Sequence, residues 1–177
     1  MLDMRRVCSL VLVAFVSAAC SLEPSEVTFH ASFCEAADLQ RLVDEEDLDP
    51  NDTFDGGASP IWTVVAASSD NTGCLEALEV LIDAGGDVNR TENGFSLLWV
   101  ALNREIEPGI VAYIGELGVS PCGPITDHVN FEALEPAREA LNDTSPLPES
   151  LLELAESNAS EASLAEFREL LANADCE

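Results

Sequence analysis

The sequence predicts an all-α domain of stacked helical hairpins, and three observations predict it. First, a helical apolar face ends at Gly85, which suits a left-handed C-cap. Second, a polar turn over residues 87–94 leads directly into another apolar run. Third, residues 59–66 align with 96–103, so similar segments recur at about 33–38 residues. Such a period indicates helical hairpins that cover one another. The apolar face is formed by Leu75, Leu78, Leu81 and Ile82.

The repeated segments resemble the ankyrin repeat. "SPIWTVV" from residue 59 and "TGCLEALEVLIDAGGDVN" from residue 72 carry the resemblance. Departures are Trp62 and Trp99 in place of the family's His, Leu97 in place of a Pro, and about five inserted residues. The resemblance implies a solenoid of about three to four stacked hairpins, with at most a short ribbon at each tip. We expect the two tryptophans to pack one repeat apart.

The resemblance also sets the domain boundaries. It places repeats at about residues 28–51, 55–89 and 93–121, and it weakens beyond Gly118. A closing repeat is expected at 149–175, after an insertion at 122–148 with a short helix starting near Pro136. The whole ankyrin-repeat domain is therefore expected to cover residues 28–177.

The first residues have the layout of an export signal. A basic start, an apolar stretch of about a dozen residues and a small-residue site predict a signal peptide at 1–19. The following "SAAC" resembles a bacterial lipoprotein site, which implies lipidation of Cys20 and a tether at 20–27. Ser17 departs from the usual leucine, so ordinary cleavage after Ala19 stays open. The expected location is the periplasmic face of the outer membrane, or else a soluble periplasmic or secreted state.

The cysteine count fits this export. Removal of Cys8 with the signal and lipidation of Cys20 leave four cysteines, which can pair in an oxidising compartment. Among three possible pairings, the repeat register implied by the resemblance favours Cys34–Cys74 and Cys122–Cys176. The cysteines form no C-x-x-C pair, and His30 and His128 lack matching spacing, so we expect no zinc site and no cofactor.

The charge narrows the partners. The chain has 34 acidic and 7 basic residues, a net charge of −27, which disfavours nucleic acids and anionic membranes. Two explanations stay open: adaptation to salt, and electrostatic steering toward a basic partner.

Catalytic and calcium motifs are missing from the sequence. Nothing resembles G-x-S-x-G, a phosphate loop or H-E-x-x-H, so we expect no enzyme. Asp47, Asp49 and Asn51 alternate as in a calcium loop, but Asp52 and Ala58 stand where the EF-hand needs Gly and Glu.

Ankyrin repeats bind proteins through hairpin tips and first helices, so the resemblance implies this role here. Phe54 and Phe95 are candidate hot spots, with packing between tips as the equal alternative. We expect a monomeric, envelope-anchored protein-binding module; an immunity or inhibitor protein against a basic toxin or enzyme, and a structural stress protein, are the alternatives. The candidate contact residues are Asp52, Phe54, Asp55, Thr63, Arg90, Glu92, Asn93, Phe95, Asn103 and Arg104.

Overall fold

The computed structural model describes residues 24–54, 58–69, 71–92, 94–104, 106–130, 132, 148–174 and 176. The predicted signal at 1–19, lipidation at Cys20 and the helix near Pro136 lie outside these residues, as do Asp55 and Asn93. None of the described helices is both long and apolar enough to cross a membrane.

The described chain is mainly helical, as predicted. Residues 125–127 form a 3₁₀ turn, and the short strands β1 (Thr91–Glu92) and β2 (Phe95–Ser96) pair antiparallel. The helices are α1 (Pro24–Ser32), α2 (Ala36–Glu46), α3 (Pro60–Ala67), α4 (Cys74–Asp83), α5 (Leu97–Leu102), α6 (Ile110–Glu116), α7 (Leu151–Asn158) and α8 (Glu161–Asn173).

Serine side chains fix the starts of several helices. Each serine hydroxyl accepts a hydrogen bond from a backbone N–H in the first turn, which satisfies a donor that the helix leaves unpaired. At α3, Pro60 follows the cap and supplies a backbone angle already suited to the first helical position. The capping serines are Ser59, Ser96, Ser150 and Ser160.

The helices pair into four hairpins, and successive hairpins pack side by side. The hairpins are α1–α2, α3–α4, α5–α6 and α7–α8. First helices follow one another in the order α1, α3, α5, α7, while α2 packs on α4 and α6 on α8. Each described hairpin therefore buries part of its apolar surface between its own two helices and part against a neighbouring hairpin. Completely buried side chains include Leu39, Leu42, Leu78, Leu81, Leu98, Leu102, Ile110, Ile114 and Phe167.

A glycine permits the close approach of the last two hairpins. A Cβ atom added at Gly115 in α6 would lie 2.2 Å from Cδ2 of Leu170 in α8. Any larger residue at this position would push the leucine away, so Gly115 sets how tightly α8 packs on α6.

Two disulfides join elements of neighbouring hairpins and confirm the predicted pairing. Cys34, after α1, is bonded to Cys74 at the start of α4. Cys122, after α6, is bonded to Cys176 after α8. The first bond is buried, with Cys34 6 % exposed and Cys74 fully buried. Each disulfide therefore links two consecutive hairpins covalently.

Carboxylates from later hairpins cap the second helices. The backbone N–H groups of Gly73, Cys74 and Leu75 donate to the Glu107 carboxylate at 3.2, 2.7 and 3.1 Å. The N–H of Gly109 donates to Glu166 at 2.8 Å in the same way. A negative charge at a helix N-terminus meets both free donors and the positive end of the helix dipole. These glutamates thus link the hairpins electrostatically.

We expect Cys34→Ser combined with Cys74→Ser to lower the free energy of unfolding by about 4 kcal/mol, because the loop of the unfolded chain is no longer closed. Urea unfolding followed by circular dichroism measures this loss. Peptide mapping without reductant provides the check on pairing, since four free thiols would contradict both bonds.

We expect Glu107→Gln to lower the free energy of unfolding by about 1–3 kcal/mol, because three backbone donors lose their charged acceptor. Urea unfolding of this variant is compared with Glu116→Gln, an exposed position near the end of α6. A loss at Glu107 no larger than at Glu116 would show that the cap is unimportant.

Candidate protein-binding site

The hairpin tips form one continuous surface, which we call the tip surface. It consists of residues 49–54 after α2, residues 87–92 and 94–96 after α4, and residues 126–130 of the insertion. The sequence predicted the first two segments as candidate contacts and did not predict the third.

Asn51 joins the first tip to the second. Its side-chain Nδ2 donates to the carbonyl of Gly85 at 3.1 Å, and its Oδ1 accepts from the N–H of Asp87 at 2.8 Å. The same local turn occurs in both tips, since Asp49 accepts from the N–H of Asn51 and Asp87 from that of Asn89. The recurring Asp-x-Asn sequence therefore fixes both the shape of each tip and the spacing between tips.

Arg90 and Glu92 tie the second tip to the hairpins beneath it. The Arg90 guanidinium donates to the carbonyl of Asn51, and its Nε lies 3.4 Å from Oε1 of Glu92. Oε2 of Glu92 accepts from the N–H of Ser59 at 2.7 Å. Glu92 is only 5 % exposed, so this position is a correction to the predicted contact set. In the two-residue strand β1, Thr91 faces solvent and Glu92 faces inward.

The start of the insertion extends this ribbon. The N–H of Ser96 donates to the carbonyl of His128 at 2.8 Å, and the N–H of Asn130 donates to the carbonyl of Gly94 at 2.5 Å. Phe95 and Val129 form a β-bridge. Residues 128–130 therefore lie beside β2 and continue the tip surface.

His128 is the buried polar centre of this junction. Its Nδ1 lies 3.1 Å from Oγ of Ser96, the hydroxyl that also caps α5. Burial lowers the pKa of His128 below its ordinary value near 6.5, against opposing effects of the Cys122 backbone and the charge of Asp127. The imidazole Nε2 is buried without a hydrogen-bond partner among the described residues. The neutral ring is therefore the form that this site stabilises.

The predicted aromatic contacts pack within the protein. Phe95 stacks on Trp99 with ring centroids 4.1 Å apart. Phe54 is half-buried against the core and bonds through its backbone to Ala58. Trp62 and Trp99 also pack against the core, as the sequence predicted. Both phenylalanines are therefore partly buried by packing, Phe95 on Trp99 of α5 and Phe54 on the core, and not by the tip-to-tip packing that was the expected alternative.

The predicted first-helix contacts are partly engaged inside the chain. Asn103 accepts from Nδ2 of Asn158 at 2.8 Å, which links α5 to α7. Arg104 is exposed but donates to the carbonyl of Ala66 at 3.1 Å. Thr63 is half-buried. Among the candidate contact residues that the structure describes, Asp52 and Arg104 are exposed, and the others are half-buried or buried.

The free charge of the tip surface is negative. The described arginines all bond inside the chain: Arg41 to Glu26 and Glu46, Arg168 to Glu156, and Arg90 and Arg104 as given above. Within the part of the chain that the structure describes, the exposed carboxylates of the tips form no ion pair with an arginine. They are Asp49, Asp52, Asp87 and Asp127, with Glu132 just beyond the insertion segment.

A cleft of about 400 Å³ opens between the second tip and the insertion. Thr91, Gly94 and Asn130 line its sides, while Asp127 and Glu132 place two exposed carboxylates at its rim. Its size and charge suit a long cationic side chain better than a neutral one.

A second group of ionisable residues lies at the other end of the chain. His30, Glu35 and Asp38 bring a ring nitrogen and two carboxylates close together. The His30 Nδ1 already forms a 2.5 Å hydrogen bond with Glu35, and Nε of Arg41 lies 3.7 Å from Asp38. The group is therefore a hydrogen-bonded polar cluster between α1 and α2, and no signal in the sequence indicated it.

No protein-family model matches the sequence, and a search of curated proteins finds no match.

We expect the free energy of unfolding to fall as the pH drops below about 6.5. The unfolded chain then binds a proton on His128 that the folded chain still excludes, so protonation favours unfolding until the pH passes the lowered pKa of the folded state. Above pH 6.5 the effect vanishes. His128→Gln should have a flatter profile over this range. Urea unfolding at pH 7.5 and 5 of both proteins measures the difference, and identical profiles would contradict the assignment.

Proposed function

We propose that this chain is an exported module of the ankyrin-repeat type, tethered to the envelope at Cys20, that binds a basic protein through its tip surface. The observation that carries the proposal is the cross-linked row of tips. Asn51, Arg90 and Glu92 hold neighbouring tips in fixed relation, and exposed carboxylates project from that row.

The packing order of the hairpins supports the repeat assignment. Four described hairpins follow one another with first helices on first helices, and Asn51, Glu107 and Glu166 form polar links across their junctions. A rigid row of loops is a good binding surface because little conformational entropy is lost when a partner binds.

The charge distribution supports a basic partner. Asp52 and Asp87 are exposed on adjacent tips, and the cleft beside the second tip has Asp127 and Glu132 at its rim. The one arginine of the described tip segments, Arg90, is directed toward Asn51 and Glu92. Cationic side chains of a partner would therefore meet uncompensated carboxylates.

Two disulfides support export. Both Cys34–Cys74 and Cys122–Cys176 are compatible with an oxidising compartment, where such bonds persist. Together with the signal-like start and the small residues before Cys20, they favour a position outside the cytoplasm. Labelling with palmitate, using Cys20→Ala as the control, tests the tether.

The partner is identified by crosslinking and affinity capture of the tagged protein from its native envelope, followed by mass spectrometry. We expect Asp52→Asn combined with Asp87→Asn to weaken its binding at least about tenfold at low salt, because attraction to the basic partner is lost. Asparagine keeps the acceptor oxygen that Asp87 offers to Asn89, so the tip keeps its shape.

The matched control is Glu79→Gln combined with Asp83→Asn, which removes the same charge from exposed positions on α4. Its effect on binding should be small. Affinity of the unmodified protein should also fall steeply from low to high salt. Equal losses in both variants, or binding that ignores salt, would refute the tip surface and favour salt adaptation as the reason for the charge. If the captured partner is a toxin or enzyme, its activity in the complex tests the inhibitor form of the proposal.

A further inference from the structure

The large hydrophobic side chains that remain exposed among the described residues lie together at the end of α1, Phe29 in the helix and Phe33 in the turn that follows it. Phe29 and Phe33 are each 53 % exposed, and their ring centroids are 4.8 Å apart. They stand one helical turn apart and form a single patch, which we call the phenylalanine patch. Adjacent exposed aromatic rings form a contiguous apolar surface, a feature that is common at interaction sites.

The phenylalanine patch lies on the face of α1 that points away from the other hairpins. Val27 and Ala31, on the opposite side of the helix, are 1 % and 0 % exposed, and α1 packs on α3. Among the described helices α1 is the first, and the helices that pack extensively on it are α3 and α2. The patch is therefore at the open end of the row.

The other end of the row has a different surface. In α8 the exposed positions are charged or small, and Arg168 forms an ion pair with Glu156 of α7 at 2.9 Å. Terminal hairpins of stacked repeats normally have such a polar outer face, which keeps them soluble. The first hairpin departs from this rule only through Phe29 and Phe33.

We propose that the phenylalanine patch rests on the surface of the lipid bilayer, next to the lipid anchor at Cys20, and so sets the orientation of the module on the membrane. This inference rests on the proposed tether. Between Cys20 and Pro24 the chain can span about 14 Å at most. Lipidation at Cys20 would therefore hold α1 close to the membrane, within reach of its two exposed aromatic rings.

The size of the patch favours a bilayer over a second copy of the chain. The exposed area of two half-exposed phenylalanines is far smaller than the roughly 1,200 Å² that a stable protein interface buries. A lipid surface needs only a small apolar contact once an acyl chain has brought the helix to it, since one chain alone anchors weakly and a second signal completes the attachment.

The local charges also permit this approach. Glu26 is bonded to Arg41 at 2.8 Å, and Glu35 to His30 at 2.5 Å. Arg41 thus offsets the charge of Glu26, and Glu35 is held by its hydrogen bond with His30. A zwitterionic membrane is the expected surface, since the net charge of −27 opposes an anionic one.

The test uses the mature chain, residues 20–177, with a single myristoyl chain coupled through maleimide to Cys20. The other four cysteines are protected as disulfides. Partition between water and phosphatidylcholine vesicles is measured by co-sedimentation for the unmodified conjugate and for Phe29→Ser combined with Phe33→Ser. We expect the double variant to partition at least about tenfold less, from the apolar area lost.

The matched control is Ala165→Ser combined with Ala172→Ser, which makes exposed positions of α8 more polar at the far end of the row. It should partition like the unmodified conjugate. Circular dichroism and disulfide content establish that both variants are folded. Equal partition of all three conjugates would overturn the proposal. Sedimentation of the chain without lipid is the second readout, and a phenylalanine-dependent dimer would overturn it in favour of self-association.

Palmitate labelling in cells keeps this proposal separate from the tether. If Cys20 takes no label but partition of the synthetic conjugate still depends on the phenylalanines, the tether is refuted and the lipid-binding patch is supported. A labelled Cys20 with no effect of the phenylalanines would keep the anchor and remove the orienting contact.

Discussion

The described hairpins bury apolar faces against one another, and this constraint organises the rest of the structure. The first helices pack in sequence order, so the tips emerge side by side along one edge. That alignment lets one asparagine, Asn51, bond to the following tip at Gly85 and Asp87. The same constraint leaves the outward faces of the first and last hairpins uncovered, which is why their side chains differ so strongly from those of the interior.

The acidic composition has a structural use in addition to any role in binding. Glu92, Glu107 and Glu166 each accept hydrogen bonds from the backbone of an earlier hairpin. A carboxylate is a stronger hydrogen-bond acceptor than a neutral group, so each of these hydrogen bonds is stronger than one to a neutral acceptor. The chain therefore divides its carboxylates into two populations. Some connect hairpins, and the others remain in solvent, where they determine the electrostatic field around the tips.

Local sequence signals predicted the parts of the fold that depend on neighbouring residues. Gly85 follows the end of α4 in the left-handed conformation as expected, and the repeat register led to both disulfides. Links over long sequence distances were not predictable in this way. A capping carboxylate for α4 would be sought at Glu76 inside the helix, whereas the actual one is Glu107. Similarly, nothing near His128 indicated that the insertion would continue the ribbon of the second tip, and the tip pattern alone placed Glu92 at the surface instead of beneath it.

The placement of the disulfides also determines how the molecule would respond to mechanical force. The Cys34–Cys74 bond encloses the junction of the first two hairpins, and Cys122–Cys176 encloses that of the last two. Between Cys74 and Cys122 the halves are held by packing of α3 on α5 and by hydrogen bonds such as those of Glu92 and Glu107. If the N-terminus is fixed and a bound partner pulls on the other half, the segment between the two disulfide loops can extend. Each loop keeps its length because its disulfide carries the force. The two disulfide-closed segments would then resist extension, and the segment between them would unfold first.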